Sequence, residues 1–357
     1  MSKKGKIILA LSLLPQYFLI KTAKSNPEFI ETYYSRGIFP IFSKLLNTAF
    51  KWIPFSVGDV LYAGLIVYLI RWVVINRNRL KTAAKAWVLD VLCFTSVLYF
   101  MFHLCWGFNY YRLPLHTTLN LNPKYTTTQL KSVTNQLVLK TNALHLEITK
   151  DSLLKTTLPY AFSELTEICH SGYSQLEKVY PNFKHDGKNS KKSLFSTPLT
   201  YMGFSGYVNP FTLEAHINAV MPTNSMPTTI AHEQAHQLGY AAENEANFIG
   251  FLASIHNEDL YFNYAGYKFA LRYCLIELSK RDPEVYASTL CTINPGILDD
   301  YQEAFEFWSA HHNPLEPVFK GFYSHFLKAN NQAKGIESYS YVVALLVDYL
   351  VTIGAAT

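Results

Sequence analysis

The sequence predicts a mainly α-helical membrane protein, with three N-terminal transmembrane helices ahead of a mostly helical domain that carries a small sheet. Three observations carry this. Apolar stretches at residues 7–20, 57–75 and 86–108 reach or approach the roughly 20 residues that cross a bilayer. Beyond residue 112, apolar positions recur mostly at helical spacing, with one short alternating run. The chain is 49% hydrophobic but only 16% charged, a balance that suits part membrane and part globule. Its net charge of +5 is spread over loops without a long basic run, so no nucleic-acid partner is expected. Five cysteines at irregular spacing give neither a disulfide framework nor a CxxC metal site, although one bridge among Cys169, Cys274 and Cys291 is conceivable.

Lys3, Lys4 and Lys6 precede the first apolar run, Ile7 to Ile20. It is short for a span, and a signal peptide is the rival reading. The missing A-x-A cleavage pattern and the interruption at Pro15 favour an uncleaved anchor. Residues 27–54 mix polar and apolar positions, with Tyr33, Lys51 and Trp52 as amphipathic tips, and read as a segment on the membrane surface. A helix packed on the globular domain is the alternative. Between the second and third spans, Arg71, Arg77, Arg79, Lys81 and Lys85 place five basic residues in fifteen positions without an acid. The positive-inside rule makes that loop and the N-terminus cytoplasmic, and everything after Tyr110 extracytoplasmic. Asp90 and His103 sit near opposite ends of the third span and are expected to snorkel to the headgroups. The chain thus divides into a membrane anchor, residues 1–112, and a second domain, residues 113–357.

In that domain, Thr128 to Lys150 and Leu158 to Tyr180 have helical periodicity. A polar loop at Lys184 to Lys192 leads to an expected strand at Glu214 to Met221, where apolar and polar residues alternate and His216 reads as a surface residue. Helices are expected at about 260–279, 283–292, 296–309, 315–329 and 338–353. The last is apolar enough to suggest a fourth span, but its length and Asp348 favour a buried closing helix.

The chemistry concentrates in His232-Glu233-Gln234-Ala235-His236, an HExxH run. With 12 His and 17 Glu in the chain, chance supplies about 0.02 such matches. Pro227 and Gly239 bracket a helix from Thr228 to Leu238, with Ser225 or Asn224 available to cap it. On that helix His232 and His236 share a face and can offer two imidazoles to one ion, while Glu233 lies one step round. A second helix opens at Glu243 and runs to about Ile255. Glu243 and Asn247 share its face, so Glu243 is the expected third ligand and Asn247 the partner of a ligating histidine. Glu245 points about 200° away from Glu243 and stands as the alternative third ligand.

HExxH followed by a helix bearing E-x-x-A-N resembles the gluzincin zinc metallopeptidases. The spacing is unusually short, and Asn247 stands where many gluzincins have Asp. The run from His232 to Phe248 (HEQAHQLGYAAENEANF) more closely resembles an uncharacterised bacterial membrane-protein family, domain of unknown function 3810. That likeness extends to PEFIETYYSRGIFP (27–40), WGFNYYR (106–112) and YAGYKFALRY (264–273). It implies a membrane-anchored, zincin-like protein of the bacterial plasma membrane and supplies no substrate.

Together these readings give an expected function: a zinc-dependent hydrolase, with Zn2+ on His232, His236 and Glu243, and Glu233 as general base. Its partners would be a peptide or protein substrate and the lipid bilayer, with the catalytic domain outside the cell membrane. Tyr264, Tyr267, Arg272 and Tyr273 are candidate proton donors to an oxyanion, and the strand ahead of the HExxH helix a candidate edge for a peptide. A non-enzymatic membrane scaffold or binding protein that retains a zinc site is the alternative.

Overall fold

The computed structural model describes residues 1–185, 189–332 and 341–354. Part of the loop expected at 184–192 and the start of the helix expected at 338–353 therefore lie outside the described residues. The longer helices are α1 (Lys3–Lys24), α2 (Phe39–Phe50), α3 (Val57–Asn76), α4 (Ala84–Cys105), α5 (Thr127–Thr149) and α6 (Phe162–Val179). They continue with α7 (Met226–Gln237), α8 (Glu243–Ile255), α9 (Leu260–Arg281), α10 (Pro283–Leu290), α11 (Pro295–Ala310), α12 (Glu316–Ala329) and α13 (Val342–Gly354).

Helices α1, α3 and α4 are long and apolar enough to cross a membrane. Pro15 does not truncate α1. Its ring lacks the N–H that would bond Leu11, so the helix is interrupted only at Ser12 and continues. At one end of the bundle, Asp90 pairs with Lys6 and, at 2.9 Å, with Arg79. His103 does not snorkel. It is buried between the rings of Tyr99, Phe102 and Phe108, with Nδ1 on the Tyr99 carbonyl at 2.9 Å.

Two apolar cores follow from the amphipathic patterns. The larger joins α5 through α9 with α13; Leu130, Val133 and Leu137 of α5 and Leu165, Cys169, Tyr173 and Leu176 of α6 all face inward. Helix α13 is the buried closing helix expected, with Val342, Leu346 and Val347 inside. The smaller core gathers Ile20, Ile30, Tyr34, Phe39, Trp106 and Tyr111 against Leu213 and Ala241. Residues 27–50 therefore have an inner face built into the protein, while Phe29, Tyr33, Ile41 and Leu45 point outward. Ile30–Ile38 is wound as a π-helix, in which residues five apart line up, and Arg36 donates to Glu31 at 2.7 Å.

The sheet has three short strands, β1 (Ser190–Lys192), β2 (Gly206–Val208) and β3 (Ala215–Ile217), in the order β1-β3-β2. β3 runs parallel to β1 and antiparallel to β2. It is shorter than the alternation suggested, and it is the central strand, so it presents no edge. The two edge strands are β1 and β2. His216, on β3, is fully buried rather than on the surface, because the start of α3 covers it.

Two polar ties hold the N-terminal helices to the rest. At the start of α3, Ser56 Oγ pairs with His216 Nε2 at 2.8 Å, and Glu214 accepts from Gly58 N at 2.6 Å and from Lys191 at 2.5 Å. Asp59 accepts from Ser193 Oγ at 2.9 Å and from the Tyr207 hydroxyl. Ser56, His216 and Asp59 are closed to solvent, so this grouping is a pin and not a nucleophilic site. In the second tie, the Arg112 guanidinium forks onto Glu31 at 2.8 and 2.9 Å, donates to the Gly239 carbonyl at 2.9 Å and lies over the Tyr240 ring. All five cysteines are free.

Burial pushes the Glu31 carboxyl up, but the guanidiniums of Arg112 and Arg36 outweigh it and hold the group below its ordinary 4.5. A carboxyl depressed in this way adds stability above pH 4.5 that is lost as the pH falls through its folded-state value. Glu31→Ala, which strands a buried guanidinium, is expected to cost about 3–5 kcal/mol and to flatten that acid limb. Thermal unfolding of the detergent-solubilised protein between pH 3 and 7 reads both effects.

Candidate functional site: a buried His-His-carboxylate cluster

The site is built on α7 and α8. Pro227 opens α7 and Gly239, at φ +83°, closes it. No side chain caps its start. Ser225 is already in helical conformation, and Asn224 spends its amide on the Thr156 carbonyl and Asp300. The back of the helix is fastened by Gln237, which donates to the Leu213 carbonyl at 2.7 Å, and by Gln234, which donates to Ser190. At Gly250 a Cβ would stand 2.9 Å from the His232 backbone nitrogen, so α8 approaches α7 as only glycine permits.

That approach brings Glu243 onto the histidines. Its Oε2 lies 3.3 Å from His232 Nε2 and 3.5 Å from His236 Nε2. The other nitrogen of each ring is committed. His232 Nδ1 is 2.8 Å from Asn247 Oδ1, and His236 Nδ1 is 2.6 Å from the Tyr240 carbonyl. Carbonyl oxygens only accept, so each Nδ1 carries a proton, and each ring turns its Nε2 toward the carboxylate, the nitrogen left to ligate a cation. Asn247 is thus the histidine partner that its spacing from Glu243 suggested. Glu245 takes no part here: its Oε1 accepts from Leu115 N at 2.7 Å.

Glu233 is the second carboxylate at the cluster. Donor atoms of His232, Glu233 and His236 all lie within 4.8 Å of one another, a grouping that can hold a metal ion. Glu233 packs against β2, where a side chain at Gly206 would stand 2.7 Å from Glu233 Oε1. Burial raises the Glu233 carboxyl above its ordinary value against the pull of both imidazoles. Burial would lower His236 and raise Glu243. Their mutual attraction reverses both, taking His236 up to about 9 and Glu243 far down. A metal-free cluster is then an imidazolium–carboxylate pair. Yet Glu233 Oε2 is buried without a hydrogen-bond partner, and Glu243 Oε2 has only the two imidazoles at 3.3 and 3.5 Å, a costly arrangement that a divalent cation relieves.

Three of the four proton-donor candidates fall elsewhere. Tyr264 donates to Asp300 at 2.7 Å, Tyr267 packs against Phe251, Arg272 is exposed, and Tyr273 stands behind Asn247. The phenol that reaches the cluster is Tyr323 of α12, which donates to Glu243 Oε1. Trp106, from the WGFNYYR run, sets its ring edge-on to His236. A cavity of about 300 Å³ lies off the C-terminal end of α7, lined by Arg36, Lys44, Arg112 and His185, and does not include His232 or His236.

Fold and site together define a mainly helical protein whose three apolar N-terminal helices adjoin a buried His-His-carboxylate cluster on a tightly packed helix pair. The family model described as "Protein of unknown function (DUF3810)" matches residues 34–347, and the chain belongs to that family. No curated protein and no solved structure matches it.

If Asn247 orients His232 for a ligand, Asn247→Leu is expected to weaken binding of a divalent metal by about 10- to 100-fold. Competition against a chelating dye measures this. Unchanged affinity would remove Asn247 from that role.

Proposed function

We propose that this protein is a membrane-anchored zinc-dependent hydrolase that cleaves peptide bonds at the outer face of a bacterial plasma membrane. Helices α1, α3 and α4 would serve as the spans, with a cytoplasmic N-terminus and the gluzincin-like site outside. The supporting observation is the placement of His232 Nε2 and His236 Nε2 at 3.3 and 3.5 Å from Glu243 Oε2. Tetrahedral ligands about 2.0–2.1 Å from zinc stand about 3.3–3.4 Å apart, so these separations suit one ion. Two imidazoles and a carboxylate are a donor set typical of catalytic zinc, whereas structural sites are usually rich in cysteine.

His232, His236 and Glu243 would hold the zinc, which would supply a Lewis acid able to activate water near neutral pH. The remaining work falls to this chain's own groups. Glu233, buried beside both imidazoles, is placed to accept a proton from water and pass it to the leaving amine. Asn247 and the Tyr240 carbonyl hold the imidazoles in one orientation. Tyr323, bonded to Glu243, fixes that carboxylate and brings a hydroxyl to the site. β2, an edge strand packed against Glu233, is where an extended peptide would add to the sheet.

Glu233→Gln should retain zinc at wild-type stoichiometry and abolish chelator-sensitive cleavage of a peptide library by the purified full-length protein. Undiminished cleavage would remove Glu233 from the base role. Zinc bound by the wild type without any cleavage would favour the scaffold alternative.

A further inference from the structure

Helix α12 carries an apolar stripe that its own protein does not cover. At 100° per residue, Leu315, Val318, Phe319, Phe322 and Phe326 fall within an arc of about 100°. Phe322 is 73% exposed, Leu315 61% and Val318 50%. The neighbouring arc faces inward: Leu327 and Glu316 are buried, and Tyr323 reaches Glu243. Ser324 and Lys328 occupy the remaining side. Three faces of different character on a helix fourteen residues long suit a helix lying at an interface between protein, apolar medium and water.

The position of the stripe identifies the apolar medium. Phe326 packs on Phe102, in the last turn of α4, at 5.8 Å, and on Tyr110 at 6.0 Å. Phe100 and Met101, on the same turn of α4, point outward. The stripe is therefore continuous with the outer surface of a helix apolar enough to span a bilayer. One helical turn, about 5.4 Å, separates Phe326 from Phe322.

We propose that α12 lies in the lipid–water interface of the outer leaflet, with Val318 and Phe322 among the acyl chains, and thereby holds the His-His-carboxylate cluster at the membrane surface. Tyr323 sits on the inner face of the same helix, so Glu243 is two contacts from lipid. The substrate class follows, resting on the hydrolase reading above: a polypeptide tethered to the same membrane rather than one free in solution.

Two measurements on the full-length protein in phosphatidylglycerol–phosphatidylethanolamine vesicles test this. In the first, p-benzoylphenylalanine replaces Phe322 or Ser324, and photo-crosslinks are read by mass spectrometry. Lipid adducts at 322 and not at 324 are expected. Adducts to a second copy of this chain at 322, or none at all, would overturn the placement. In the second, the double variant Val318→Asp, Phe322→Asp is compared with wild type on one peptide presented either lipid-anchored or free. Cleavage of the anchored form is expected to fall at least several-fold, with the free form unchanged; an equal fall for both would overturn the substrate class. Should wild type cleave neither, the hydrolase reading and the substrate class with it fail, while the crosslinking result stands by itself.

Discussion

The arrangement depends on how two imidazoles are held. His232 and His236 sit one turn apart, but helix geometry alone leaves their rings free to rotate. The Asn247 and Tyr240 carbonyl oxygens remove that freedom by accepting from each Nδ1, at 2.8 and 2.6 Å, which turns both Nε2 atoms onto the same carboxylate oxygen. Burial raises the stakes, since Glu233 carries an oxygen that no hydrogen bond satisfies and Glu243 one that has only the two imidazoles. A buried cluster of this kind is poorly suited to be left unpaired and well suited to bind a cation.

The rest of the fold keeps that pair of helices in place. Gly250 lets α8 approach the backbone of α7, so that Glu243 comes within reach. Arg112 ties the turn after α7 to Glu31 of the π-helix, and through it to the N-terminal helices. On the other side, Lys191, Glu214, His216 and Asp59 fasten the start of α3 to the sheet. The apolar N-terminal helices are therefore joined to the site by buried, charge-assisted bonds on two sides. Displacing them is expected to disturb the turn at Gly239 and the strand beside Glu233.

Much of the site was legible because it is local. The i, i+4 spacings of His232 with His236 and of Glu243 with Asn247 each define a helix face, and the bounds of α8 follow from its composition. The three helices long and apolar enough to cross a membrane, and the buried closing helix, were readable from length and charge. What escaped is long-range. Tyr323 lies 80 residues beyond Glu243 in a helix rich in aromatics, and nothing in its neighbourhood marks it out. The alternation around His216 signalled a strand but not its central place, which also needs the parallel partner β1, and no local pattern marks that pairing. Likewise His216 read as solvated because it is polar, whereas the start of α3, far away in sequence, buries it, and His103 is enclosed by the aromatic rings of its own neighbours.

The most direct test is X-ray absorption at the zinc K-edge on the full-length protein purified without added chelator, alongside His236→Ala. One zinc per chain is expected, with two imidazoles and light oxygen donors at about 2.0–2.1 Å and no sulfur, and its loss in the variant. A protein that binds no stoichiometric zinc, or a variant that keeps the same spectrum, would contradict the account.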